Sequence, residues 1–313
     1  MKKTTVIIPN YNGIHFLKDC MKALEEQTCP DFGICIVDNG SADGSTDYIR
    51  SEYPDAKLIV LKKNTGFCHA VNAGVRASDT DYVLLLNNDT IPDRNFVSEL
   101  EKALDKHPDV FSCASCMLQV QDNTLLDGAG DLYSALGWAF ARGRDEKASL
   151  YDRPARIFSA CAGAAIYRRE EFIRLGMLDE KHFAYLEDMD IGWKARLAGW
   201  KNLYVPTARV VHVGSGTTGS RHNEFKVRMS ARNNIYIIRK NMTGWQKVIN
   251  APLILLGAFI KFLFFQKKGL GRAYCRGFRQ GMALPASSPK DVPLKNQLKI
   301  QTELWANMFK RKI

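Results

Sequence analysis

Asp89 stands where a carboxylate could bind a metal ion. It follows the apolar run "LLLNN", so the sequence predicts that it lies at the end of a buried strand. Mg²⁺ and Mn²⁺ take oxygen ligands, typically one or two carboxylates together with substrate phosphates. An acid at this position could therefore hold such a cation against a diphosphate. Taken alone, "NND" is weak evidence for a metal site and favours a plain turn.

Asp38 ends another apolar run, "GICIVD". A strand-end carboxylate can accept hydrogen bonds from a nucleobase or a ribose hydroxyl, as in other nucleotide-binding α/β folds. The alternative is an Asx-turn that opens a helix near Ser45. Neither the GxGxxG pattern nor the Walker pattern is present, so a dinucleotide fold or a P-loop enzyme is not the first choice.

Three carboxylates, those of Glu187, Asp188 and Asp190, begin a helical pattern. Acids there stabilise a helix by about 0.3–1 kcal/mol without any further role. Closely packed like charges can also give one carboxylate the basicity of a general base. His212 ends the run "ARVVH" and precedes the glycine-rich residues 214–220. It is either a structural histidine or a metal ligand beside a mobile lid.

The elements that must position these side chains alternate between strands and helices. This alternation predicts an α/β fold with a mostly parallel central sheet and helices on both faces. In such sheets ligands bind beyond the carboxyl ends of the strands, where the chain has Asn, Asp and Gly. The predicted strands are "TTVIIP", "GICIVD", "KLIVLKK" and "DYVLLLNND", and the predicted helices cover 14–27, the residues from Ser45, 67–77 and 93–106.

The second half of the chain is less regular, and its end is basic. Residues 127–145 read as a loop-rich insertion. From Lys226 onward there are 18 basic and 2 acidic residues, a net charge of +16, whereas residues 1–225 carry −5. A basic tail on an acidic body predicts an anionic partner, either phospholipid or nucleic acid. Nucleic acid is disfavoured because no aromatic residues are interleaved on a basic strand pattern.

The segment 248–265 contains a single charge in eighteen residues. On a helix, Asn250, Gly257 and Lys261 form one narrow polar stripe. The pattern favours a helix lying in a membrane interface, with a membrane span and a buried core or dimer helix as the alternatives. A last amphipathic helix is predicted around Leu294 to Met308. The short N-terminal apolar run and the scattered cysteines favour the cytoplasm over secretion.

Seven motifs, in order, resemble those of family 2 glycosyltransferases with the GT-A fold, most closely the rhamnosyltransferase-like branch. The resemblance covers about residues 4–235. The motifs are "VIIPNYNG", "VDNGSADGSTD", "NTGFCHAVNAGV", "LLLNNDT", "CAGAAIYRREEF", "FAYLEDMDIGWKARLAGW" and "VVHVGSG".

The resemblance implies roles for individual residues. Asp188 is the expected general base, with Glu187 beside it contacting the acceptor or orienting the base. Asp89 and His212 are the expected ligands of a divalent cation, Mg²⁺ or Mn²⁺. Arg232, followed by Asn233, matches an "RN" pair near the diphosphate. The remaining nucleotide-binding positions are Pro9, Tyr11, Asn12, Asp38, Asn64, Gly66 and Asn88.

The resemblance also implies an inverting transfer from a UDP-, dTDP- or GDP-sugar to a hydroxyl of a surface glycan or a lipid-linked oligosaccharide. We expect a glycosyltransferase domain over 1–235, with a nucleotide half of about 1–112 and an acceptor half of about 113–235. Residues 236–313 would form a helical region that associates with a membrane or an oligomer partner. The protein would then lie at the cytoplasmic face of the cell membrane. The alternative is a non-catalytic subunit that binds nucleotide sugar in a glycan assembly complex.

Overall fold

A computed structural model describes residues 2–213 and 222–310 of the chain. Its N-terminal third alternates strands and helices as the apolar periodicity predicts. In the first helix, for example, the buried residues Leu17, Cys20, Met21 and Leu24 share one face. These elements are β1 (Thr4–Asn10), α1 (Ile14–Glu25), β2 (Phe32–Asp38), α2 (Ser45–Glu52), β3 (Lys57–Val60), α3 (Phe67–Arg76), β4 (Tyr82–Leu86), β5 (Thr90–Pro92) and α4 (Phe96–Lys106).

The middle of the chain adds shorter strands and the acidic helix. Residues 127–145, expected to be loop-rich, contain a two-stranded hairpin because Leu132 and Tyr133 are buried against the body. The elements are β6 (Val110–Gln119), β7 (Leu126–Gly128), β8 (Asp131–Ser134), β9 (Trp138–Ala141), β10 (Ala155–Ile157), β11 (Ala164–Arg168), α5 (Arg169–Arg174), α6 (Glu187–Leu197) and β12 (Lys201–His212).

One large sheet organises the described residues. Its strands lie in the order β10-β12-β6-β11-β4-β1-β2-β3, with β5 paired to β12 and β7 paired to β6. Strands β1, β2, β3, β4, β6 and β12 run in one direction, and the other four run opposite to them. Strand β4 is central and completely buried. The expectation of a mixed α/β fold with a mostly parallel central sheet is confirmed.

Four helices follow: α7 (Glu224–Asn241), α8 (Gly244–Lys267), α9 (Gly271–Ala283) and α10 (Leu294–Ala306). They pack against the rest of the protein, because Ile235 of α7 and Leu304 of α10 belong to the same buried cluster as Tyr133 and Trp193. Arg196 of α6 forms an ion pair with Glu303 of α10. The tail is thus continuous with the body.

The polar stripe of α8 faces the protein. Asn250 is buried and exchanges hydrogen bonds of 2.9 Å with Gln301 of α10. A Cβ at Gly257 would lie 2.1 Å from the carbonyl oxygen of Leu136, so only glycine allows this close approach. The outward face is apolar throughout and consists of Val248, Ile249, Pro252, Leu255, Leu256, Phe259, Ile260, Leu263 and Phe264.

Candidate active site

The carboxyl ends of β1, β2 and β4 are joined by hydrogen bonds between side chains. Asn88 donates through Nδ2 to Asn10 Oδ1 at 2.7 Å, and Asn10 donates through Nδ2 to Asp38 Oδ1 at 3.0 Å. The backbone N–H of Ser41 donates to the other oxygen of Asp38 at 3.0 Å. The fully buried Asp38 and the nearly buried Asn88 therefore hold the strand ends in register. Both residues were predicted to bind nucleotide. In the structure their buried side chains hydrogen-bond to groups at the neighbouring strand ends.

Other predicted nucleotide residues are exposed at this edge. Tyr11 has 36% of its surface accessible, and Asn12 and Asn64 are also exposed, whereas Pro9 is partly buried. The amide of Asn64 accepts hydrogen bonds from Asn39 and from the backbone N–H of Gly66. The strand ends thus present polar groups around a shared rim.

Gly66 joins the nucleotide half to the segment before the acidic helix. Its φ is +91°, a conformation that side chains rarely adopt. A Cβ there would lie 2.6 Å from the ring of Phe183. The backbone N–H of Cys68 also donates to the carbonyl of Phe183 at 3.2 Å. Gly66 therefore allows the close approach of two segments that are distant in sequence.

The structure brings Asp89 and His212 together. Strand β5 pairs with β12, so that Thr90 lies opposite His212. As a result, His212 Nε2 lies 3.5 Å from Asp89 Oδ1. The other ring nitrogen, Nδ1, lies 2.8 Å from Asp127 Oδ2, and Asp127 in turn pairs with Arg144 at 2.8 Å. The glycine-rich residues 214–220, expected to carry a lid, lie outside the described residues.

This arrangement fits a divalent cation. When Nδ1–H donates to Asp127, the Nε2 lone pair is directed toward Asp89, which is the usual carboxylate–histidine–metal geometry. Burial alone would lower the pKa of His212, but Asp127 and Asp89 raise it to about 9. The two carboxylates thus stabilise positive charge on the ring, and they would also stabilise a cation bound between Nε2 and Asp89. Asp89 and His212 would supply the protein ligands of Mg²⁺ or Mn²⁺.

Asp188 lies in a second acidic cluster. Its carboxylate accepts hydrogen bonds from the backbone N–H groups of Met189 at 2.6 Å and Ala162 at 3.3 Å. Ligand atoms of Asp131, Cys161 and Asp188 lie within 4.8 Å of one another. Burial raises the pKa of Asp188, and burial together with the charges of Asp188 and Asp127 raises the pKa of Asp131 well above its usual value.

The neighbouring Glu187 is nearly buried. Burial and the charge of Asp188 raise its pKa to about 8. Its Oε2 atom makes no hydrogen bond to any of the described residues. Because Asp188 accepts two backbone hydrogen bonds and Glu187 has this unsatisfied oxygen, Asp188 is the carboxyl group that ionises more readily.

The third acid of the motif has a structural role. Asp190 is fully buried and accepts hydrogen bonds of 2.8 Å from both Lys240 and Asn241 of α7. Lys240 also pairs with Asp179 at 2.6 Å. Burial would raise the pKa of Asp190, but Lys194 and Lys240 lower it below its usual range. Asp190 is therefore the buried counterion of α7.

Residues 181–186, here called the pre-helix segment, have an unusual backbone. Phe183, Tyr185 and Leu186 have φ values of 62°, 73° and 67°. The backbone N–H of Ala184 donates to the carbonyl of His182 at 2.7 Å, which makes a γ-turn centred on Phe183. Each such conformation costs about 1–3 kcal/mol and persists only where the surroundings enforce it.

Side chains of α7 hold this segment. Asn233, which is completely buried, donates through Nδ2 to the carbonyls of His182, Ala184 and Tyr185 at 3.0, 2.8 and 2.7 Å. The Arg232 guanidinium donates to the carbonyls of Lys181 and His182 and, through Nε, to Asn233 Oδ1. Arg232, expected to lie near a diphosphate, thus contacts backbone carbonyls in this structure.

Sequence reasoning missed Asp127, Asp131 and the functional contacts of Asn233. The two acids lie in "DGAGD", inside residues expected to be a loop-rich insertion. The signal that could have identified them was the placement of two acids around a glycine pair in an otherwise apolar stretch. Through them, the cluster around His212 and the cluster around Asp188 are electrostatically connected.

Known proteins resemble this chain in sequence and in fold. The profile of "Glycosyl transferase family 2" matches residues 5–176. The chain is 27% identical over 240 residues to a protein of Mycobacterium tuberculosis named N-acetylglucosaminyl-diphospho-decaprenol L-rhamnosyltransferase. That alignment covers 68% of this chain and 77% of the relative.

Two solved structures share the fold. The crystal structure of GalNAc-T7 with UDP, GalNAc and Mn²⁺ superposes with a TM-score of 0.64 at 16% identity, covering 100% of this chain and 56% of that one. The mannosyltransferase PcManGT from Pyrobaculum calidifontis, in complex with GDP-Man and Mn²⁺, gives a TM-score of 0.57 at 17% identity, with coverage of 99% and 81%. The protein is a glycosyltransferase with the GT-A fold and belongs to glycosyl transferase family 2.

Proposed function

We propose that the protein transfers a sugar from a nucleotide-diphospho-sugar to a hydroxyl group of a growing glycan, with inversion at the anomeric carbon. The observation that carries the proposal is the environment of Asp188. Its carboxylate is oriented by two backbone N–H donors and made more basic by burial. A module that only binds nucleotide sugar has no use for an oriented base.

Asp188 would act as the general base. The acceptor oxygen attacks the anomeric carbon, the bond from that carbon to the diphosphate oxygen breaks, and the hydroxyl proton passes to Asp188. A single displacement of this kind needs one carboxylate on the acceptor side and forms no covalent glycosyl-enzyme. The raised pKa of Asp188 improves it as a proton acceptor.

Asp89 and His212 would hold the donor end of the site. A bound Mg²⁺ or Mn²⁺ would neutralise the charge that develops on the diphosphate leaving group. Asp127 would keep the His212 ring in the orientation and tautomer that binding requires. Tyr11, Asn12 and Asn64, exposed at the same edge, would contact the nucleotide.

We propose a UDP-, dTDP- or GDP-sugar as donor and a lipid-linked saccharide as acceptor. The similar mycobacterial protein is named as a rhamnosyltransferase acting on a diphospho-decaprenol-linked sugar. The two structures with the same fold contain UDP and GDP-Man. These names support a nucleoside diphosphate donor and favour rhamnose among the sugars to be tested.

A lipid-linked acceptor would require the enzyme to reach a membrane. Among the described residues, α8 is the one helix whose length and composition would allow a membrane span. Its polar stripe is bonded to the body, so spanning a bilayer would break the contacts of Asn250 with Gln301 and of Gly257 with the Leu136 region. We propose that α8 instead lies along the cytoplasmic leaflet with its outward apolar face in the lipid.

Charge supports a lipid partner over a second protein. The basic residues that follow the outward face are exposed, namely Lys267, Lys268, Arg272, Arg276 and Arg279. Clusters of this kind attract anionic headgroups by about 1 kcal/mol for each residue near the surface. The apolar face and the basic residues together match a leaflet, whose apolar interior lies beneath an anionic surface.

A thermal-shift panel tests the reaction proposal. The full chain is heated with UDP-GlcNAc, GDP-mannose and dTDP-L-rhamnose, each with and without Mn²⁺, because a ligand of the native state raises the melting temperature. Donors that stabilise the protein are then tested for release of nucleoside diphosphate with water or a lipid-linked sugar as acceptor. Binding without any release would favour the non-catalytic subunit.

A further inference from the structure

The backbone carbonyls of the pre-helix segment accept hydrogen bonds from residues of α7 and α3. The carbonyls of residues 181, 182, 184 and 185 all accept hydrogen bonds from Arg232 or Asn233. The carbonyl of Phe183 is bonded on the other side, to the backbone N–H of Cys68. Five consecutive carbonyls are therefore fixed by groups outside the segment.

The conformation that these bonds maintain determines where the acidic helix begins. Leu186, in the left-handed conformation, is the residue immediately before α6, and Glu187 and Asp188 are the first two residues of that helix. A side chain at a helix start takes its direction from the backbone that enters the helix. If the pre-helix segment relaxed to ordinary φ values, α6 would begin at another residue or in another direction.

We propose that Asn233 is a positioning residue for catalysis: it holds the pre-helix segment in its strained conformation and so directs Asp188. Because this rests on Asp188 being the base, it deepens the proposed function. Asn233 touches neither Asp188 nor the donor site through any hydrogen bond described above. Its three donor contacts are all to backbone carbonyls before α6.

The other end of α7 supports the same interpretation. Lys240 and Asn241 bond to Asp190, one turn into α6. Helix α7 thus fixes the backbone before Asp188 and a side chain after it. The pre-helix segment carries the backbone strain, so the loss of Asn233 should move Asp188 while Asp190 stays anchored.

The first test compares Asn233→Ala with Asn250→Ala. Both residues are buried asparagines with several hydrogen bonds, but those of Asn250 go to α8 and α10 and not to the pre-helix segment. We expect hydrogen exchange of the backbone amides of residues 183–189 to accelerate at least tenfold in Asn233→Ala and to stay unchanged in Asn250→Ala. Equal exchange of these amides in both variants would overturn the proposal.

Kinetics give a readout that a merely structural role would not change. With Mn²⁺ and the nucleotide sugar that binds, Asn233→Ala should lower kcat about 100-fold, the order expected for a 1 Å misplacement, and leave KM within threefold. Asn250→Ala should keep the wild-type kcat. If wild-type protein releases no nucleoside diphosphate, the proposed function fails, while the exchange comparison still decides whether Asn233 fixes the segment.

A second substitution at Leu186 separates the effect of backbone strain from the effect of lost side-chain packing. Glycine adopts positive φ freely, so Leu186→Gly should reduce the need for Asn233. In the Asn233→Ala background, Leu186→Gly should recover kcat at least tenfold over Leu186→Ala, which loses the same packing but keeps the strain. Equal kcat in the two double variants would contradict the role of strain. If Asn233→Ala does not fold, Arg232→Met takes its place in each comparison, because it removes three hydrogen bonds, two of them to the pre-helix segment, from a partly exposed position.

Discussion

The imidazole of His212 lies between two carboxylates, with Nδ1 2.8 Å from Asp127 and Nε2 3.5 Å from Asp89. Asp127 belongs to β7 and Asp89 lies in the turn between β4 and β5, so the ring connects two parts of the sheet edge. One carboxylate orients the ring, and the other shares the position where a cation would bind. Substitutions of Asp127 and of Asp89 should therefore affect metal binding differently.

Asp127→Ala should weaken metal-dependent binding without removing a ligand. Loss of a carboxylate that orients a metal-binding histidine typically costs 10–100-fold in metal affinity. We expect that range in calorimetric titrations of Mn²⁺ and UDP or GDP, whereas Asp89→Ala should abolish the Mn²⁺ dependence. Asp122→Ala, on the exposed loop beyond β6, serves as the control. Wild-type Mn²⁺ affinity in Asp127→Ala would contradict the orienting role.

Asp188→Asn should abolish transfer and spare donor binding. The amide keeps the shape and one acceptor oxygen but cannot take the proton, and a general base contributes about 10²–10⁴-fold to rate. Release of nucleoside diphosphate should fall by that factor, while the thermal shift produced by the donor stays that of wild type, because the affinity for the donor is unchanged. Normal turnover in this variant would refute the base assignment.

Lys240→Met should destabilise the protein strongly at neutral pH. It leaves Asp190 buried without its nearest cation, and breaking a buried ion pair costs about 3–5 kcal/mol. Asp190 and Asp179 have lowered pKa values in the folded protein. Their stabilisation is therefore present above the ordinary carboxyl pKa and is lost as pH falls toward the lowered values.

Acid should reduce the difference in stability between Lys240→Met and the wild-type protein. Without Lys240, Asp190 keeps Lys194 at 3.3 Å but has lost its nearer cation, so its protonation costs less and the stability difference from wild type should shrink between pH 7 and pH 4. Burial lowers the pKa of the neighbouring His182 to about 4, and Lys240 contributes to that shift, so its titration acts in the same direction. Urea unfolding at both pH values measures the difference, and a constant gap would contradict the ion-pair interpretation.

Gly66→Ala should disturb both stability and the contact with the pre-helix segment. The added Cβ meets Phe183 at 2.6 Å and also forces a positive φ on alanine. We expect a loss of about 2–6 kcal/mol, the sum of backbone strain and overpacking. Gly176→Ala is a matched control, because its φ is +87° and no atom lies within 4 Å of the added Cβ. Equal melting temperatures for the two variants would show that the Phe183 contact contributes nothing.

Glutamates on the outward face of α8 should release the protein from membranes. Leu256 and Phe259 are about half exposed, and burying each in lipid contributes about 1.5–3 kcal/mol. The double variant Leu256→Glu/Phe259→Glu should lose at least 100-fold in partitioning to vesicles of phosphatidylglycerol and phosphatidylcholine. Deletion of the helix would be a poorer test, because α10 and the body pack against it.

Leu294→Glu/Leu298→Glu is the control for that experiment. These leucines of α10 are exposed to a similar extent but lie outside the outward face of α8. The control should bind vesicles like wild type. If both double variants bind equally well, α8 is not the membrane contact, and the lipid-linked acceptor loses its structural support.

Local patterns predicted four strands of the ten-stranded sheet, β1 to β4, and the residues at their carboxyl ends. Asp89 could be placed at an edge because five buried residues precede it, and helix α1 because its apolar residues repeat at helical spacing. His212 beside Asp89 could be anticipated only from the family resemblance. Their pairing depends on β5 and β12, which are separated by more than a hundred residues.

The unpredicted features depend on which distant segments meet. Nothing local indicates that Asn233 contacts residues 182–185, or that Lys240 reaches Asp190, since about 50 residues separate the partners. The polar stripe of α8 was recognisable from its spacing, but periodicity cannot say which face of a helix the body covers. In the structure Asn250 and Gly257 of the stripe are buried and the apolar face is exposed.

A protein attached to a leaflet along α8 would search for its acceptor in two dimensions. Both reactants would then diffuse in the same thin layer, where confinement raises their effective concentration without any new contact between them. Because the body occupies the polar side of α8, attachment would also fix the tilt of the sheet edge above the lipid. The sheet edge would then lie at a fixed distance from the membrane surface. Acceptors whose reactive hydroxyl lies at the same distance would be selected, in addition to any selection by the chemistry of the pocket.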